Sequence, residues 1–355
     1  MKIFEMMEKE GHEQLVFNQE KISGLKALVA IHDTTLGPAL GGCRMWNYDT
    51  EEEAITDVLR LSKGMTYKSG ATGTDYGGGK SLIWGDPQKD KSEALFRAFG
   101  RYIDVFKGRF MTGTDVGTTF HDFIIARKET QYVGALPEEY GGGGNSSIIT
   151  AFGTWRGIKA ACKESFGTDD LSGRTVAVQG LGKVGYFLVK HLIEEGAKVI
   201  GTDIVDAHID KVKSDFPQVE IVKPDEIYSV ECDVFSPNAL GAIVNDENID
   251  KFKCKVIAGA ANNQLAESRH GKVLADKGIL FAPDFVVNAG GLIQVADELE
   301  GYNKGRAYNK ASTIYDMLIQ IFDIAREENI IPNEAAVKLV DQRLETIGRI
   351  SRTYK

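Results

Sequence analysis

The chain has 355 residues, of which 43% are hydrophobic and 26% are charged, and its formal net charge is −9. These values predict a soluble globular protein of two domains. Because the chain is acidic and contains no basic block, nucleic acid and membrane surfaces are not expected as partners.

The N-terminus and the cysteines both indicate a cytoplasmic protein. The opening "MKIFEMMEKEGHEQ" carries acidic residues early, and no apolar run approaches the ~18 residues of a transmembrane helix. The four cysteines show no C-x-x-C spacing, and the six histidines show no H-E-x-x-H motif. We therefore expect free thiols in a reducing compartment, no disulfide and no metal site.

The first part of the chain contains mixed elements. "GLKALVAIHD" (24–33) predicts a strand, and "EEEAITDVLRLSKG" (51–64) predicts an amphipathic helix that ends near Lys63 and Gly64. The glycine run from Tyr140 to Asn145 is the clearest break in composition, and it predicts a hinge or a domain boundary.

Three segments before that break combine small residues with a few charges: "GPALGGCRM" (37–45), "KGMTYKSGATGTDYGGGKSL" (63–82) and "GRFMTGTDVGTT" (108–119). They are interpreted as small-residue loops that carry Lys68, Lys80 and Asp115. Clustered glycines suggest that the backbone comes close to a ligand or to another chain. The alternative is that the lysines are solvated surface cations.

After the break, short β-branched runs alternate with segments of helix length. Such alternation predicts a parallel sheet covered on both faces. A long amphipathic helix is predicted around Ile314, Leu318, Ile321 and Ala325. The predicted strands are "TVAVQG", "KVIGTDI", "CDVFSP", "KVIAGAA" and "GILFAPD".

The first of these strands leads into a dinucleotide-binding signature. Gly180 permits a tight turn, Gly182 lets a pyrophosphate approach the backbone, and Gly185 lets helix and strand pack closely. Asp203 follows the second strand, about 20 residues on, where a carboxylate binds the adenosine ribose. Since this carboxylate would repel a 2′-phosphate, NAD is favoured over NADP.

Motifs along nearly the whole chain resemble those of the Glu/Leu/Phe/Val dehydrogenase family. They are "LGPALGGCRM", "GMTYK" followed by "GGGK", "TGTDVG", "GLGKVG", "GAANNQL" and "VNAGGLIQVADEL". The resemblance implies an α/β fold with an N-terminal substrate-binding and oligomerisation domain (1–138) and a Rossmann-type NAD-binding domain (139–330), with a cleft between them. A C-terminal helical segment (331–355) would return to the first domain, and the protein would be a homo-oligomer.

The same resemblance implies an activity and its residues. The enzyme would oxidatively deaminate an L-amino acid to a 2-oxo acid and ammonia with NAD. Lys68 would bind the substrate carboxylate, Lys80 would be the catalytic lysine, and Asp115 would exchange protons with the amine. Asn262 would hold both the substrate and the nicotinamide end. The residues implied in NAD binding are Gly180, Leu181, Gly182, Lys183, Val184, Gly185, Asp203, Ser147, Thr150, Asn262 and Asn288.

The substrate side chain is predicted from four positions that the resemblance places around it: Leu40, Gly113, Leu292 and Val295. They are apolar or small, so glutamate is disfavoured because its carboxylate would be buried without a partner. Gly113 and Leu292 favour the phenylalanine branch of the family, which makes L-phenylalanine the expected substrate. Leucine and other branched aliphatic amino acids are the alternative, followed by tryptophan.

Three positions depart from the family pattern: Asn238 and Ala242 in "SPNALGA", and Ile149 in "SSIITA". Two other functions predict different residues. A non-catalytic NAD-binding protein would be expected to have lost the Lys68, Lys80 and Asp115 set. A dehydrogenase of 2-hydroxy acids would use a histidine base, and neither His32 nor His121 lies in a matching motif.

Overall fold

The computed structural model describes residues 2–353, and they form two compact units. The first comprises the described residues up to Asn145, the segment Leu292–Ala307 and the residues from Val340 onward. The second comprises Ser146–Gly291 and Tyr308–Leu339. Each unit is α/β, which confirms the predicted fold class.

The predicted domain ranges, 1–138, 139–330 and 331–355, divide the chain differently from these units and stay predictions. Residues 1, 354 and 355 of those ranges lie outside the described residues. The largest difference is the segment Leu292–Ala307, which the structure groups with the first unit. The reason is packing, because Leu292 shares an apolar cluster with Leu40 of that unit.

Within residues 2–353 the strands, in chain order, are β1 (Gln14–Glu20), β2 (Leu25–Asp33), β3 (Ala39–Trp46), β4 (Gly77–Trp84), β5 (Phe110–Thr114), β6 (Thr175–Gln179), β7 (Lys198–Thr202), β8 (Glu220–Ile221), β9 (Val234–Pro237), β10 (Val256–Ile257) and β11 (Leu280–Phe281).

The α-helices of the same residues are α1 (Ile3–Glu10), α2 (Glu51–Ala71), α3 (Glu93–Val105), α4 (Phe120–Arg127), α5 (Ser146–Phe166), α6 (Lys183–Glu194), α7 (Asp206–Asp215), α8 (Arg269–Asp276), α9 (Asp284–Val287), α10 (Gly290–Leu299), α11 (Lys304–Ser312), α12 (Ile314–Glu328) and α13 (Pro332–Thr353). None of these helices has the length and apolarity that a membrane span requires.

The sheet of the first unit has the order β1-β2-β4-β3-β5 among the described strands. β3 lies between β4 and β5 and pairs with both in parallel, whereas β2 is antiparallel to its two neighbours. One face of the sheet packs on a core that includes Phe96 and Phe99 of α3 and Phe123 of α4. Because side chains alternate along a strand, the residues between the core-facing ones point to the opposite face.

The helix predicted at 51–64 is present but longer than expected. Thr50 caps its start, since the Thr50 side chain accepts a hydrogen bond of 3.2 Å from the backbone N–H of Glu53. The helix continues past Gly64 to Ala71, so the predicted end was wrong. Lys63 is not a helix-end cation, because it lies inside α2 and pairs with Glu10 at 2.7 Å.

The interpretation of the three small-residue segments as loops was also wrong. Most of their residues lie in α2, β3, β4 and β5. The glycines are needed because these elements approach very closely: a Cβ on Gly78 would lie 2.0 Å from Oγ1 of Thr66, and one on Gly41 would lie 1.8 Å from the carbonyl oxygen of Gly79. The sequence feature was thus a signal of tight packing within regular structure.

The sheet of the second unit has the order β11-β10-β9-β6-β7-β8 among the described strands, and all its pairs are parallel. Read from β8, this is the order 3-2-1-4-5-6 of the dinucleotide-binding fold. The five strands predicted after the glycine run are confirmed. The predicted long helix is α12, and Ile314, Leu318, Ile321 and Ala325 are all buried.

The packing of Gly78 can be tested by Gly78→Ala, with Gly64→Ala as the matched control. The added methyl on Gly78 would meet the backbone nitrogen of Thr66 at 2.3 Å, so we expect a loss of about 1–3 kcal/mol in the free energy of unfolding. Gly64 is exposed in the interior of α2 with no atom near its Cβ, so its substitution should instead stabilise by up to about 1 kcal/mol. Urea unfolding of both variants measures the difference, and equal stabilities would contradict the argument.

Candidate functional site

An ion pair whose charged atoms are buried connects two strands of the first unit, although the side chain of Asp115 as a whole is 27% exposed. Nζ of Lys80, on β4, is 2.8 Å from Oδ2 of Asp115, the residue that follows β5. The side chain of Lys80 is only 7% exposed. The strand between them, β3, carries Gly42, where a Cβ would lie 2.8 Å from Cβ of Asp115 and 3.5 Å from Nζ of Lys80. The two charges meet because β3 has no side chain at this point.

Asp115 is held in the ionised form. Burial opposes its ionisation, but the charges of Lys80 and Arg44 outweigh that effect and keep the pKa of Asp115 below its usual range. The backbone at Asp115 is fixed by Thr118, whose Oγ1 accepts a hydrogen bond of 2.9 Å from the Asp115 N–H. The same Oγ1 is 3.0 Å from the carbonyl oxygen of Cys43 on β3. The carboxylate therefore has both a fixed charge state and a fixed position.

The sequence analysis missed a charged network behind Asp115. Nε of Arg44 is 3.6 Å from Oδ2 of Asp115, and its Nη1 donates a hydrogen bond of 2.8 Å to Oδ2 of Asp57. Tyr48 and Arg60 donate to Asp57 at 2.6 Å and 2.9 Å. Alternation along "LGGCR" could have placed Arg44 on the same face as Leu40. No local pattern indicates Asp57, because its contact with Arg44 depends on how α2 packs.

Three of the four positions predicted to surround the substrate side chain are in one apolar cluster. Leu40 and Leu292 are buried in it and Val295 is partly buried. The fourth, Gly113, is buried on β5 opposite Gly42, and a Cβ there would lie 3.1 Å from Cβ of Ala135. The remaining members of this apolar cluster, which the sequence analysis did not identify, are Met65, Tyr76, Met111, Ala296 and Leu299.

Lys68 lies on α2, the helix that contributes Met65 to this cluster. It is in the last turn of the helix and half-buried. Residues three apart in a helix share one face, and Met65, three residues earlier, packs in the apolar cluster. The helical spacing thus places Lys68 on the same face of α2 as Met65, a member of the cluster that also contains Leu40.

The glycine run before Ser146 is closely packed. A Cβ on Gly142 would lie 2.0 Å from the carbonyl oxygen of Leu136, and one on Gly143 would lie 2.5 Å from the side chain of Gln294. The carboxylate of Glu298 accepts hydrogen bonds from the N–H groups of Ala135, Leu136 and Gly143 at 2.6, 3.2 and 2.8 Å. The boundary between the compact units follows directly, between Asn145 and Ser146.

The dinucleotide signature has the expected local form. Gly180 follows β6 with φ +93°, a left-handed value that favours glycine. A Cβ on Gly185 would lie 1.9 Å from the carbonyl oxygen of Gly180, so helix and turn are in direct backbone contact. Gly182 precedes α6, and a Cβ there would meet only the ring of His208, at 3.4 Å. The turn therefore leaves room at Gly182 for a phosphate at the helix N-terminus.

The other residues of the signature surround this turn. Leu181 is buried, whereas Lys183 is exposed and Val184 is half-buried in the first turn of α6. Asp203 accepts hydrogen bonds from the N–H groups of Leu181 at 2.7 Å and Val205 at 2.9 Å. Burial opposes its ionisation, but these donors outweigh that effect and lower the pKa of Asp203. A dinucleotide fits these residues.

The four remaining predicted residues lie in two places in the second unit. Nδ2 of Asn288 donates a hydrogen bond of 2.7 Å to Oδ1 of Asn262, so the structure brings these two together. Ser147 and Thr150 lie at the start of α5. A Cβ on Gly291 would be 3.1 Å from Oγ1 of Thr150, which places Thr150 beside the segment that follows Asn288.

The three departures from the family pattern have structural consequences. Nδ2 of Asn238 donates to the carbonyl oxygen of Ser236 at 2.8 Å, and its Oδ1 accepts from the N–H of Ala260 at 3.0 Å, so it links the loops after β9 and β10. Ala242 has φ +56°, which costs an alanine about 1–2 kcal/mol. Ile149 is completely buried within α5, in regular helix.

Comparison with known proteins gives a family match over most of the chain. Residues 11–132 match the model described as Glu/Leu/Phe/Val dehydrogenase, dimerisation domain. Residues 141–207 and 202–330 match Glutamate/Leucine/Phenylalanine/Valine dehydrogenase.

Individual relatives agree with that match. A leucine dehydrogenase from Thermoactinomyces intermedius is 55% identical over 354 residues, which cover 100% of this chain and 96% of that protein. A phenylalanine dehydrogenase from Caldalkalibacillus thermarum is 54% identical over 347 residues, 97% of this chain and 94% of that protein. The crystal structure of L-tryptophan dehydrogenase from Nostoc punctiforme is 43% identical, covers 98% of this chain and 99% of that chain, and has a TM-score of 0.88.

The two glycines of the signature can be separated experimentally. The methyl group added by Gly182→Ala would make only ordinary van der Waals contacts, so the thermal stability of this variant should match that of the parent protein. The same methyl group would occupy the space that a pyrophosphate needs. We expect the Kd of this variant for NADH to rise about tenfold or more, equivalent to about 1.4 kcal/mol. Gly185→Ala should instead lower the melting temperature, because it meets a backbone oxygen. Fluorescence titration with NADH and thermal melts measure both effects, and unchanged NADH affinity in Gly182→Ala would contradict the assignment.

Proposed function

Because the chain belongs to the Glu/Leu/Phe/Val dehydrogenase family, we propose that it oxidatively deaminates leucine and related branched aliphatic L-amino acids with NAD. The products are the 2-oxo acid and ammonia, and the reaction is reversible as reductive amination. As a member of this family the protein is an amino-acid dehydrogenase, an oxidoreductase that acts on CH–NH₂ groups. The observation that carries the chemistry is the buried pair of Lys80 and Asp115 at 2.8 Å.

In the proposed mechanism three residues of the first unit act on the substrate. Lys68 binds the α-carboxylate as a point charge. Asp115, ionised beside Lys80, takes a proton from the substrate ammonium group and returns it later. When bound, NAD would supply the acceptor for the hydride that leaves Cα, which converts the neutral amine into an iminium ion.

Lys80 then directs the hydrolysis of the imino acid. Once Lys80 has released its own proton to solvent, its neutral amine takes a proton from a water molecule while the water oxygen bonds to the iminium carbon, which gives a carbinolamine. The C–N bond breaks with proton transfer to nitrogen, and the 2-oxo acid and ammonia leave. Burial of Lys80 to 7% exposure restricts competing solvent at this point.

The cofactor proposal rests on the second unit. Gly180, Gly182 and Gly185 form the turn that would accept the pyrophosphate, with Leu181, Lys183 and Val184 around it. Asp203 would bind the ribose hydroxyls, and its negative charge favours NAD over NADP. Ser147, Thr150 and Asn288 would hold the nicotinamide end, and Asn262 both that end and the substrate.

The preference for leucine is supported by the apolar cluster and by the relatives named leucine dehydrogenase. Leu40, Tyr76 and Leu292 are at most 8% exposed, so large side chains already occupy this region. A short aliphatic side chain needs less displacement there than an aromatic ring. The sequence alone favoured phenylalanine, and this proposal replaces that expectation.

Phenylalanine is the second candidate because of Gly113. A Cβ there would lie 3.1 Å from Cβ of Ala135, so glycine fits this position without displacing its neighbour and adds no side chain of its own to the substrate region. A phenylalanine dehydrogenase is also among the relatives, at 54% identity. Tryptophan follows, since the L-tryptophan dehydrogenase structure is 43% identical.

A panel of L-amino acids with NAD, followed by NADH formation, tests the choice of substrate. We expect kcat/KM for leucine to exceed that for phenylalanine by about tenfold or more, the range that one or two methylene-sized differences produce in an apolar pocket. Gly113→Ala should lower kcat/KM for phenylalanine more than for leucine, and Gly64→Ala is the control. A preference for phenylalanine in the parent enzyme would overturn the leucine proposal while leaving the reaction class intact.

The role of Lys80 is tested by Lys80→Ala, with Lys63→Ala as the control. Lys63 pairs with Glu10 on the protein surface, so its loss should leave turnover near the parent value. Loss of Lys80 should lower kcat by about 100-fold or more, which is typical for a general acid or base. NADH titration of the same variant must show normal affinity. Parent-like turnover in Lys80→Ala would disprove the assignment and would favour a different catalytic group.

Two further properties are proposed. The match of residues 11–132 to a dimerisation domain supports a homo-oligomer. The free cysteines Cys43, Cys162, Cys232 and Cys254 support a reducing, cytoplasmic location.

A further inference from the structure

Arg44 lies between two carboxylates that belong to different elements. Its Nε is 3.6 Å from Oδ2 of Asp115, and its Nη1 is 2.8 Å from Oδ2 of Asp57 on α2. Nε of Arg44 and Oδ2 of Asp115 are both buried. Oδ2 is paired with Nζ of Lys80 at 2.8 Å, whereas Nε of Arg44 makes no hydrogen bond within the described residues. A donor and an acceptor therefore face each other slightly beyond bonding distance.

Asp57 uses both carboxylate oxygens to hold this arrangement. Oδ2 accepts from Arg44 at 2.8 Å and from Tyr48 at 2.6 Å, and Oδ1 accepts from Arg60 at 2.9 Å. The guanidinium of Arg44 is planar and rigid, so fixing Nη1 also fixes the direction of Nε. Nε is the atom that faces Asp115.

The network is not part of the hydrophobic core. Arg44, Tyr48, Asp57 and Arg60 line an open cavity of about 650 Å³. Through different nitrogens, Arg44 thus faces one carboxylate on α2 and one that follows β5. The arrangement places a second positive charge near the carboxylate that Lys80 already contacts.

We propose that Arg44 is a positioning residue for Asp115, and that Asp57 orients Arg44 for this task. The inference rests on the proposed function, in which Asp115 exchanges protons with the substrate amine. When Lys80 turns to the water molecule, its contact with Asp115 weakens, and Arg44 then keeps the carboxyl group of Asp115 in place for the return of its proton. A small movement brings Nε from 3.6 Å into hydrogen-bond distance.

Among the described residues, the charged groups paired with Asp115 are Lys80 from β4 and Arg44 from β3. The thiol of Cys43, next to Arg44 in the chain, stays neutral because burial raises its pKa to about 12. Removing the charge of Arg44 leaves Lys80 as the remaining counter-charge, so the pKa of Asp115 rises. The ionised carboxylate of Asp115 is the active form in the proposed mechanism. On acidification, the variant without the Arg44 charge therefore loses activity at a higher pH than the parent enzyme does.

The test uses Arg44→Gln, Arg44→Lys and Asp57→Asn in the full-length enzyme, with Arg101→Gln as the control. Arg101 is 72% exposed and pairs with Glu129, so its variant should match the parent enzyme. Arg44→Gln should lower kcat by about 10–100-fold, as loss of an orienting residue does, with KM for the amino acid changed less than about threefold. In the pH profile of kcat for Arg44→Gln, the acid limb should move to higher pH. Arg44→Lys should recover part of kcat, and Asp57→Asn should show a smaller loss in the same direction.

Asp115→Asn and the double variant with Arg44→Gln separate this inference from the proposed function. We expect the double variant to be no slower than Asp115→Asn alone, since Arg44 acts through Asp115. If Asp115→Asn is harmless, the proposed function fails. If Asp115→Asn is damaging while Arg44→Gln keeps the parent kcat and pH profile, the inference about Arg44 is overturned and the function stands. If Arg44→Gln does not fold, Arg44→Lys and Asp57→Asn provide the test in its place. Parent-like pH profiles in both of these variants would overturn the inference.

Discussion

Lys80 reaches Asp115 because the strand between them has no side chain at Gly42. A single methyl there would lie 2.8 Å from Cβ of Asp115 and 3.5 Å from Nζ of Lys80. The rest of the first unit accommodates this constraint: β3 lies between β4 and β5, and Gly113 is paired with Gly42. The same absence of side chains that weakens a strand in isolation makes the contact of two buried charges possible.

Burying these charges has an electrostatic cost, and the surrounding network determines how that cost is met. An isolated ion in the interior costs several kcal/mol, so each buried charge needs partners with good geometry. Asp115 has Lys80 on one side and Arg44 on the other, and Arg44 is in turn held by Asp57. Charge alternates from one member to the next, so each carboxylate is stabilised in its ionised form. The fixed charge state that catalysis requires and the stability of the buried pair thus have the same origin.

The sequence predicted the second unit well and the first unit only in part. β6, the glycine turn and α6 are contiguous in the chain, so local chemistry specifies them, and the strand order follows from alternating strands and helices. The pair of Lys80 and Asp115 is formed by residues 35 positions apart and depends on the register of three strands. The family resemblance identified both residues, but it did not predict their contact. Arg44 and Asp57 were missed because neither stands in a motif with a known role, and only packing brings them together.

The glycines show most clearly why composition was insufficient. Gly41, Gly78 and Gly79 face neighbouring backbone and side chains, and their role is to let α2, β3 and β4 approach. Gly42 alternates with Gly41 on β3 and therefore faces the opposite side, where the ion pair lies. In the sequence these residues are indistinguishable members of glycine clusters, and the sequence analysis interprets both clusters as loops. Their separate roles follow from strand register, because shifting β3 by one residue would exchange the faces and place either Gly41 or the side chain of Cys43 where Lys80 and Asp115 meet.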